Sequence, residues 1–243
     1  MKRAEFDKFA EEYRALHRKN IACTGETPEY FAEYKMKDLR GIVNATPSIS
    51  ETGHFLDFGA GIGSSVSFFR KYFPNAHLTC VDVSKTCLEI AASNSGTLAE
   101  YVVFNGICLP FADNSFEAVY ASCVFHHIPP TEHVHLLQEL KRVLKVNGVI
   151  MLYEHNPLNI LSVRAVNSCP FDENAILISA NTMRAHFKSA GYLLTSVSYR
   201  VFFPRLFSFF RWMEHWLTWL PLGAQYYIVA SKTPPQKEMD ICK

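Results

Sequence analysis

"HFLDFGAGIGSS", residues 54–65, decides the fold. The run "HFLDF" reads as a buried strand. Behind it Gly59, Gly61 and Gly63 stand at alternate positions, and "IGSSVSFFRKYF" (62–73) reads as a helix. A strand that passes through a glycine-rich turn into a helix opens a ligand-binding α/β unit.

The pattern repeats outward from this unit. "AHLTCVDV" (76–83), "AEYVVFN" (99–105), "SFEAVYASC" (115–123) and "GVIMLYE" (148–154) read as strands. The helices between them include "KTCLEIAASN" (85–94) and "TEHVHLLQELKRVLK" (131–145). Such alternation predicts a parallel sheet covered on both faces, with its ligand at the carboxyl ends of the strands. Two helices, about 3–19 and 28–43, precede it. Past residue 155 come a helix ended by Gly191 (182–192), a strand (193–203), a helix "RLFSFFRWMEHWLTWL" (205–220) and a last strand (224–232). The helical insert lets the last two strands pair antiparallel.

Composition narrows the function classes. The 243 residues suit one domain with an embellishment, and half of them are apolar. Lys and Arg number 24 against 23 Asp and Glu, so no basic excess awaits phosphates and no nucleic-acid partner is expected. The N-terminus has no apolar signal core, and no stretch has the length of a membrane span. Seven scattered cysteines without a CxxC read as reduced thiols of a cytoplasmic protein.

The glycine spacing bears on the ligand. Position 64 is serine, so the nicotinamide fingerprint G-x-G-x-x-G is broken. The spacing here is G-x-G-x-G behind Asp57, the pattern for S-adenosylmethionine. Asp82 closes the second strand, where a carboxylate can accept hydrogen bonds from both ribose hydroxyls. Ser84 suits the following helix N-cap.

With "FLDFGAGIGSS", "VDVS", "LPFADNSFEAVYAS" and "VFHHIP" together, residues 50–155 resemble the class I S-adenosylmethionine-dependent methyltransferases of the broad small-molecule group. "FDKFAEEY" (6–13) is similar to their cap helix. The resemblance implies a Rossmann-like seven-strand α/β sheet with its last strand antiparallel. The corresponding division is a helical cap (1–45), a cofactor-binding core (46–155), the rest of the sheet with an acceptor-side loop and an aromatic helical insert (156–232), and a loose tail (233–243). It implies that Gly59, Ala60 and Gly61 line the methionine side, that Asp82 holds the ribose, and that Val83 packs on the adenine. Asn105, where the family often has Asp, would accept the adenine amino group. Gly106 and Ile107 would face the ring edge, and Ala121 and Ser122 the methionine amino group. Tyr13 and Lys35 of the cap would close over the cofactor.

Methyl transfer from a sulfonium is a direct displacement, and the enzyme mainly aligns the reactants. A hydroxyl acceptor is helped by a general base, and His suits neutral pH. His127, after the fourth strand, and His155, after the fifth, are the candidates. In some quinone O-methyltransferases of this group a metal is held at the places taken here by Cys123, His126 and His127. With no fourth ligand evident, no metal is expected. The loop 154–179 resembles methyltransferases of bacterial polysaccharide and lipid-linked sugar pathways, and Asn156, Arg164 and Asn167 in it are candidates to meet a polar substrate.

The insert 205–220 carries a narrow polar stripe of Arg205, Ser208, Arg211, Glu214, His215 and Thr218 on an otherwise apolar surface. Something must cover that surface. A lid over the acceptor pocket is expected, with a homodimer face or peripheral membrane contact as alternatives. The expected activity is O-methylation of a small-molecule or lipid-linked acceptor. An NAD-dependent oxidoreductase and a non-catalytic methyltransferase-like partner protein are the competing classes.

Overall fold

The computed structural model describes residues 13–232, so the tail and the first part of the cap lie outside the described residues. A seven-stranded sheet runs in the order β3-β2-β1-β4-β5-β7-β6. Its strands are β1 (His54–Phe58), β2 (His77–Asp82), β3 (Glu100–Val103), β4 (Phe116–Ser122), β5 (Leu144–His155), β6 (Leu194–Arg200) and β7 (Gln225–Ser231). β1 pairs in parallel with both β2 and β4, so the order reverses at the glycine turn that follows β1. β7 is antiparallel to β5 and to β6, as the helical insert implied. Its register sets Gln225 opposite His155 and Tyr226 opposite Glu154.

The helices are α1 (Tyr13–Asn20), α2 (Pro28–Asn44), α3 (Val66–Tyr72), α4 (Lys85–Ser95), α5 (His133–Val143), α6 (Ile160–Asn167) and α7 (Ala180–Ser189). Both faces of the sheet are covered, which is why β1 is apolar almost throughout. On one face Phe55, Phe69 and Phe73 pack with Met36, Leu39 and Val43 of α2. On the other, Leu56, Phe58 and Val119 meet Leu136, Leu140 and Phe187. α2 starts at a Thr27 N-cap with Pro28 in its first turn. It is tied to β6 by Asp38 and Arg200, whose Nε lies 2.9 Å from Oδ2.

Two expectations are corrected. The loop after β5 contains α6, started by an Asn159 N-cap that accepts from the Ser162 amide. The aromatic insert is not a regular α-helix. Arg205–Trp216 runs in 3-10 turns with a kink at Phe207, and its aromatic rings face outward instead of closing over the cavity as the expected lid. Glu214 is only 5 % exposed, whereas Trp212 and Trp219 are 62 % and 73 % exposed. The reason is hydrogen bonding: the Glu214 carboxylate accepts from the Phe202 and Phe203 amides (3.1 and 3.3 Å) and from the Tyr34 hydroxyl (2.5 Å). Capping these donors holds Glu214 inward, while Arg205, Ser208 and His215 of the polar stripe stay exposed together with the outward aromatic rings. Among the described residues no helix is long and apolar enough to cross a membrane.

Candidate active site

The three glycines do three different things. All have positive φ, which favours glycine at the turn. A Cβ on Gly59 would come within 2.5 Å of both Val124 methyl groups. One on Gly63 would come within 2.9 Å of the Ala91 methyl on α4. At Gly61 a Cβ would meet nothing within 4 Å. Gly59 and Gly63 therefore serve close packing, and Gly61 presents bare backbone to open space. Ala60 packs at the edge of the core between them.

Carboxylates hold the turn. Asp82 accepts from the Gly61 amide through Oδ2 and from the Ser84 amide through Oδ1, both at 2.9 Å. These bonds orient the Asp82 carboxylate. Asp57 lies behind the turn and accepts from the Ser65 hydroxyl at 2.6 Å. Burial pushes its carboxyl up to about 6, against the Ser65 and Tyr120 hydrogen bonds that pull it down. Asp57 supports the turn from within the core.

Val83, Asn105, Gly106 and Ile107 are the residues that the resemblance assigns to the adenine. Val83 is buried, and a Cβ on Gly106 would lie 3.6 Å from its methyl group. The Asn105 amide oxygen accepts from the Ile107 and Cys108 amides at 2.9 Å each, so it shapes this loop. Ile107 is exposed, and Ala121 is fully buried at the end of β4. The Ser122 hydroxyl is buried without a partner among the described residues. The Tyr13 side chain lies outside the described residues.

A cavity of about 180 Å³ opens beside Ser122, at the carboxyl ends of β4 and β5. Tyr30 and Phe31 of α2, Leu161 of α6, and Phe202 and Phe203 supply much of its apolar wall. Of the aromatic insert only Arg211 reaches it, held by Glu26 at 2.7 Å. Lys35 lies in the wall, and its Nζ is 3.2 Å from the Cys123 sulfur. Burial opposes a thiolate there, but Lys35 and His155 outweigh it and bring the thiol down to about 6. Cys123 itself has φ 58, left-handed backbone that a side chain rarely adopts.

The paired histidines have distinct environments. His126 is buried, with Nδ1 2.6 Å from Glu154 Oε2. Burial alone would lower it, but Glu154 and Asp172 raise it to about 10. His127 has Nε2 3.3 Å from Asp172 Oδ1, yet burial and the charge of His126 lower it to about 3. His155 lines the cavity with Nδ1 3.5 Å from the Ser162 hydroxyl. The Asn156 amide caps the backbone of Pro221 and Gly223 rather than facing a substrate.

Residues 56–152 match a family described as "Methyltransferase domain". The fold around them is shared with a possible histamine N-methyltransferase of Thermotoga maritima, with TM-score 0.64 and 19% identity over 95% of this chain and 99% of that one. Residues 56–152 thus resemble a methyltransferase domain, set in a sheet of the class I methyltransferase fold.

Among curated relatives, a demethylmenaquinone methyltransferase of Thermotoga maritima is 29% identical over 63% of this chain and 61% of that protein. A ubiquinone/menaquinone biosynthesis C-methyltransferase of Desulfotalea psychrophila is 32% identical over 43% and 42%. The chain thus spans less than two thirds of these relatives' length. A phosphoethanolamine N-methyltransferase of Haemonchus contortus that shares the fold, with TM-score 0.57 and 17% identity over 81% of this chain and 53% of that one, was solved in complex with S-adenosylmethionine. The methyltransferase turn fits it: the space at Gly61 admits a ligand against bare backbone, and the oriented Asp82 carboxylate lies beside that space.

Glu154 and Asp172 were not singled out from the sequence. Glu154 reads as the end of a strand and Asp172 as part of a polar loop. Only the folded methyltransferase domain brings both carboxylates to the two histidines.

Proposed function

We propose that this chain transfers the methyl group of S-adenosylmethionine to a hydroxyl oxygen of a small, partly apolar acceptor, with His155 taking the proton. One observation carries the reading. Two buried polar atoms, Ser122 Oγ and Gln225 Oε1, lack partners among the described residues, and both residues line the aromatic-walled cavity at the strand ends. An unpaired buried polar group costs about 1–3 kcal/mol, so a ligand that pairs them gains that amount.

S-adenosylmethionine, when bound, supplies a methyl group on a positively charged sulfur. Asp82 accepts from the ribose hydroxyls, and Ser122 accepts from the methionine ammonium. Gln225 accepts from the acceptor hydroxyl and orients it. Tyr30, Phe31, Phe202 and Phe203 exclude water from the acceptor and align it. His155 holds the proton released as the oxygen–methyl bond forms. His127, held neutral and low beside the cation of His126, is a poor base.

Methylation at ring carbon is the second reading, favoured by the quinone C-methyltransferase among the relatives. Both differ from an NAD oxidoreductase and from a non-catalytic partner in what they bind and release. Calorimetry with S-adenosylhomocysteine and NAD, followed by label transfer from methyl-tritiated S-adenosylmethionine to phenols, quinols and lipid-linked sugars, separates them. The expected outcome is tight S-adenosylhomocysteine binding, no NAD binding, and label on an oxygen. His155→Ala should lower turnover by about 10²–10⁴-fold at unchanged S-adenosylhomocysteine affinity. Label on carbon, or full turnover in His155→Ala, would replace the mechanism. Absence of S-adenosylhomocysteine binding would end the assignment.

A further inference from the structure

We infer that His126, His127 and Asp172 form a binding site for a divalent transition-metal ion, with Glu154 orienting His126 and an open coordination position facing the acceptor cavity. The set differs from the one suggested by chain spacing. Cys123 is engaged by Lys35, and the third donor comes from the loop after α6.

The distances are those of a ligand set. The donor atoms of the three residues lie within 4.8 Å of one another. Asp172 Oδ1 is 3.3 Å from His127 Nε2 and 3.7 Å from His126 Nε2. Ligands bound tetrahedrally at about 2.0–2.2 Å are spaced by roughly 3.3–3.6 Å. The two spacings to Asp172 suit one ion, and the donor atoms of the two histidines lie within 4.8 Å of each other.

Glu154 supplies the support such a site needs. Its Oε2 takes His126 Nδ1, which leaves Nε2 to face Asp172. Its Oε1 is fixed by the Val124 and Phe125 amides at 3.1 and 2.7 Å. Metal-bound histidines are commonly held by a carboxylate on the other ring nitrogen, which fixes tautomer and orientation. Two imidazoles and one carboxylate favour zinc, iron or cobalt over magnesium. The two carboxylates also balance a doubly charged cation in a buried place.

Without an ion, His126 and His127 would each point an N–H at the same Asp172 oxygen, and metal uptake distinguishes the two arrangements. All three donors line the acceptor cavity. The ion's remaining position would take an oxygen of the acceptor, a role that rests on the function proposed above. Metal binding itself does not.

The test uses the full chain, stripped with a chelator. Zinc titrated by calorimetry should bind at one ion per chain. Asp172→Asn and His127→Ala should each weaken it at least tenfold, and Glu154→Gln by about 10–100-fold. Cobalt should give visible bands of low coordination number without a strong thiolate charge-transfer band, and magnesium should not compete. Circular dichroism and S-adenosylhomocysteine binding report whether each variant folds, and the wild-type cobalt spectrum decides even where one does not. No zinc uptake by the wild type, uptake unchanged in folded Asp172→Asn, or a thiolate band overturns the site. A protein that binds S-adenosylhomocysteine but no zinc refutes the metal alone and leaves the methyl-transfer reading standing.

Discussion

The Asp82 carboxylate holds the Gly61 amide at 2.9 Å, so the residue that closes β2 sets the one turn glycine that faces open space. A single side chain thereby shapes the turn and, in the function proposed here, also accepts from the ribose. Asp82→Ala would leave the Gly61 and Ser84 amides without these bonds and remove that proposed acceptor. Charge-assisted hydrogen bonds contribute about 1.5–3 kcal/mol each, so S-adenosylhomocysteine should bind ten- to hundredfold weaker or worse. Calorimetry on a variant with native circular dichroism checks this. Unchanged affinity would remove Asp82 from the cofactor site.

Gly59 and Gly61 should separate stability from binding. Alanine at either position pays for left-handed backbone, roughly 1–2 kcal/mol. At Gly59 the new methyl also collides with Val124, and overpacking adds about 1–3 kcal/mol. Denaturant melts should therefore rank Gly59→Ala as less stable than Gly61→Ala. Cofactor titration of the folded proteins should show the larger affinity loss in Gly61→Ala. The opposite ranking in either measurement would contradict the geometry.

The buried Asp57 makes stability depend on pH. Its folded value of about 6 lies above its ordinary 3.8. Between those values the folded state binds more protons than the unfolded state, so stability falls as pH rises through that window. Above pH 6 the whole cost is present, roughly 3 kcal/mol at 1.36 kcal/mol per unit. Asp57→Asn keeps an oxygen that can accept from Ser65 and carries no charge. It should raise stability at pH 7.5 and flatten the profile between about pH 4 and 6. Urea midpoints across that range read the effect, and a variant with the wild-type slope would exclude it.

Within the aromatic insert the polar residue should matter more for folding than the rings. Glu214→Ala leaves the Phe202 and Phe203 amides and the Tyr34 hydroxyl without their acceptor. Orphaned buried donors cost about 1–3 kcal/mol. Trp216→Ala changes an exposed ring and should stay within about 0.5 kcal/mol. Thermal melts of the two variants give the comparison. If Trp216→Ala proves the more damaging, the outward facing of this segment is wrong.

How far the chain alone reaches can be judged from particular elements. The strand "HFLDF" was legible because both of its faces are buried, which writes an apolar run into the sequence. The ends of helices were legible where chemistry is local: Ser84 accepts from the Cys87 amide, and Gly191 has φ 82. The 3-10 insert was misread because its apolar surface suggested burial, and the helical spacing of its residues carried no sign of the carboxylate that turns it.

The strand–helix alternation over residues 54–154 pointed to the parallel sheet, and the glycine turn of residues 54–65 with Asp82 to the cofactor class, since a turn of bare backbone between strand and helix is a local property of neighbours. The tertiary structure alone decided which glycine faces open space, because Val124 and Ala91 come from distant segments to fill the space at the other two. It also decided the chemistry of the acceptor side. His126, Glu154, Asp172 and Gln225 lie on separate stretches of chain, and none has a local partner that reveals its role. They meet because β5 lies between β4 and β7 and because the loop after α6 folds back over the strand ends, and that juxtaposition, rather than residue type, shifts the protonation of His126, Glu154 and Asp172.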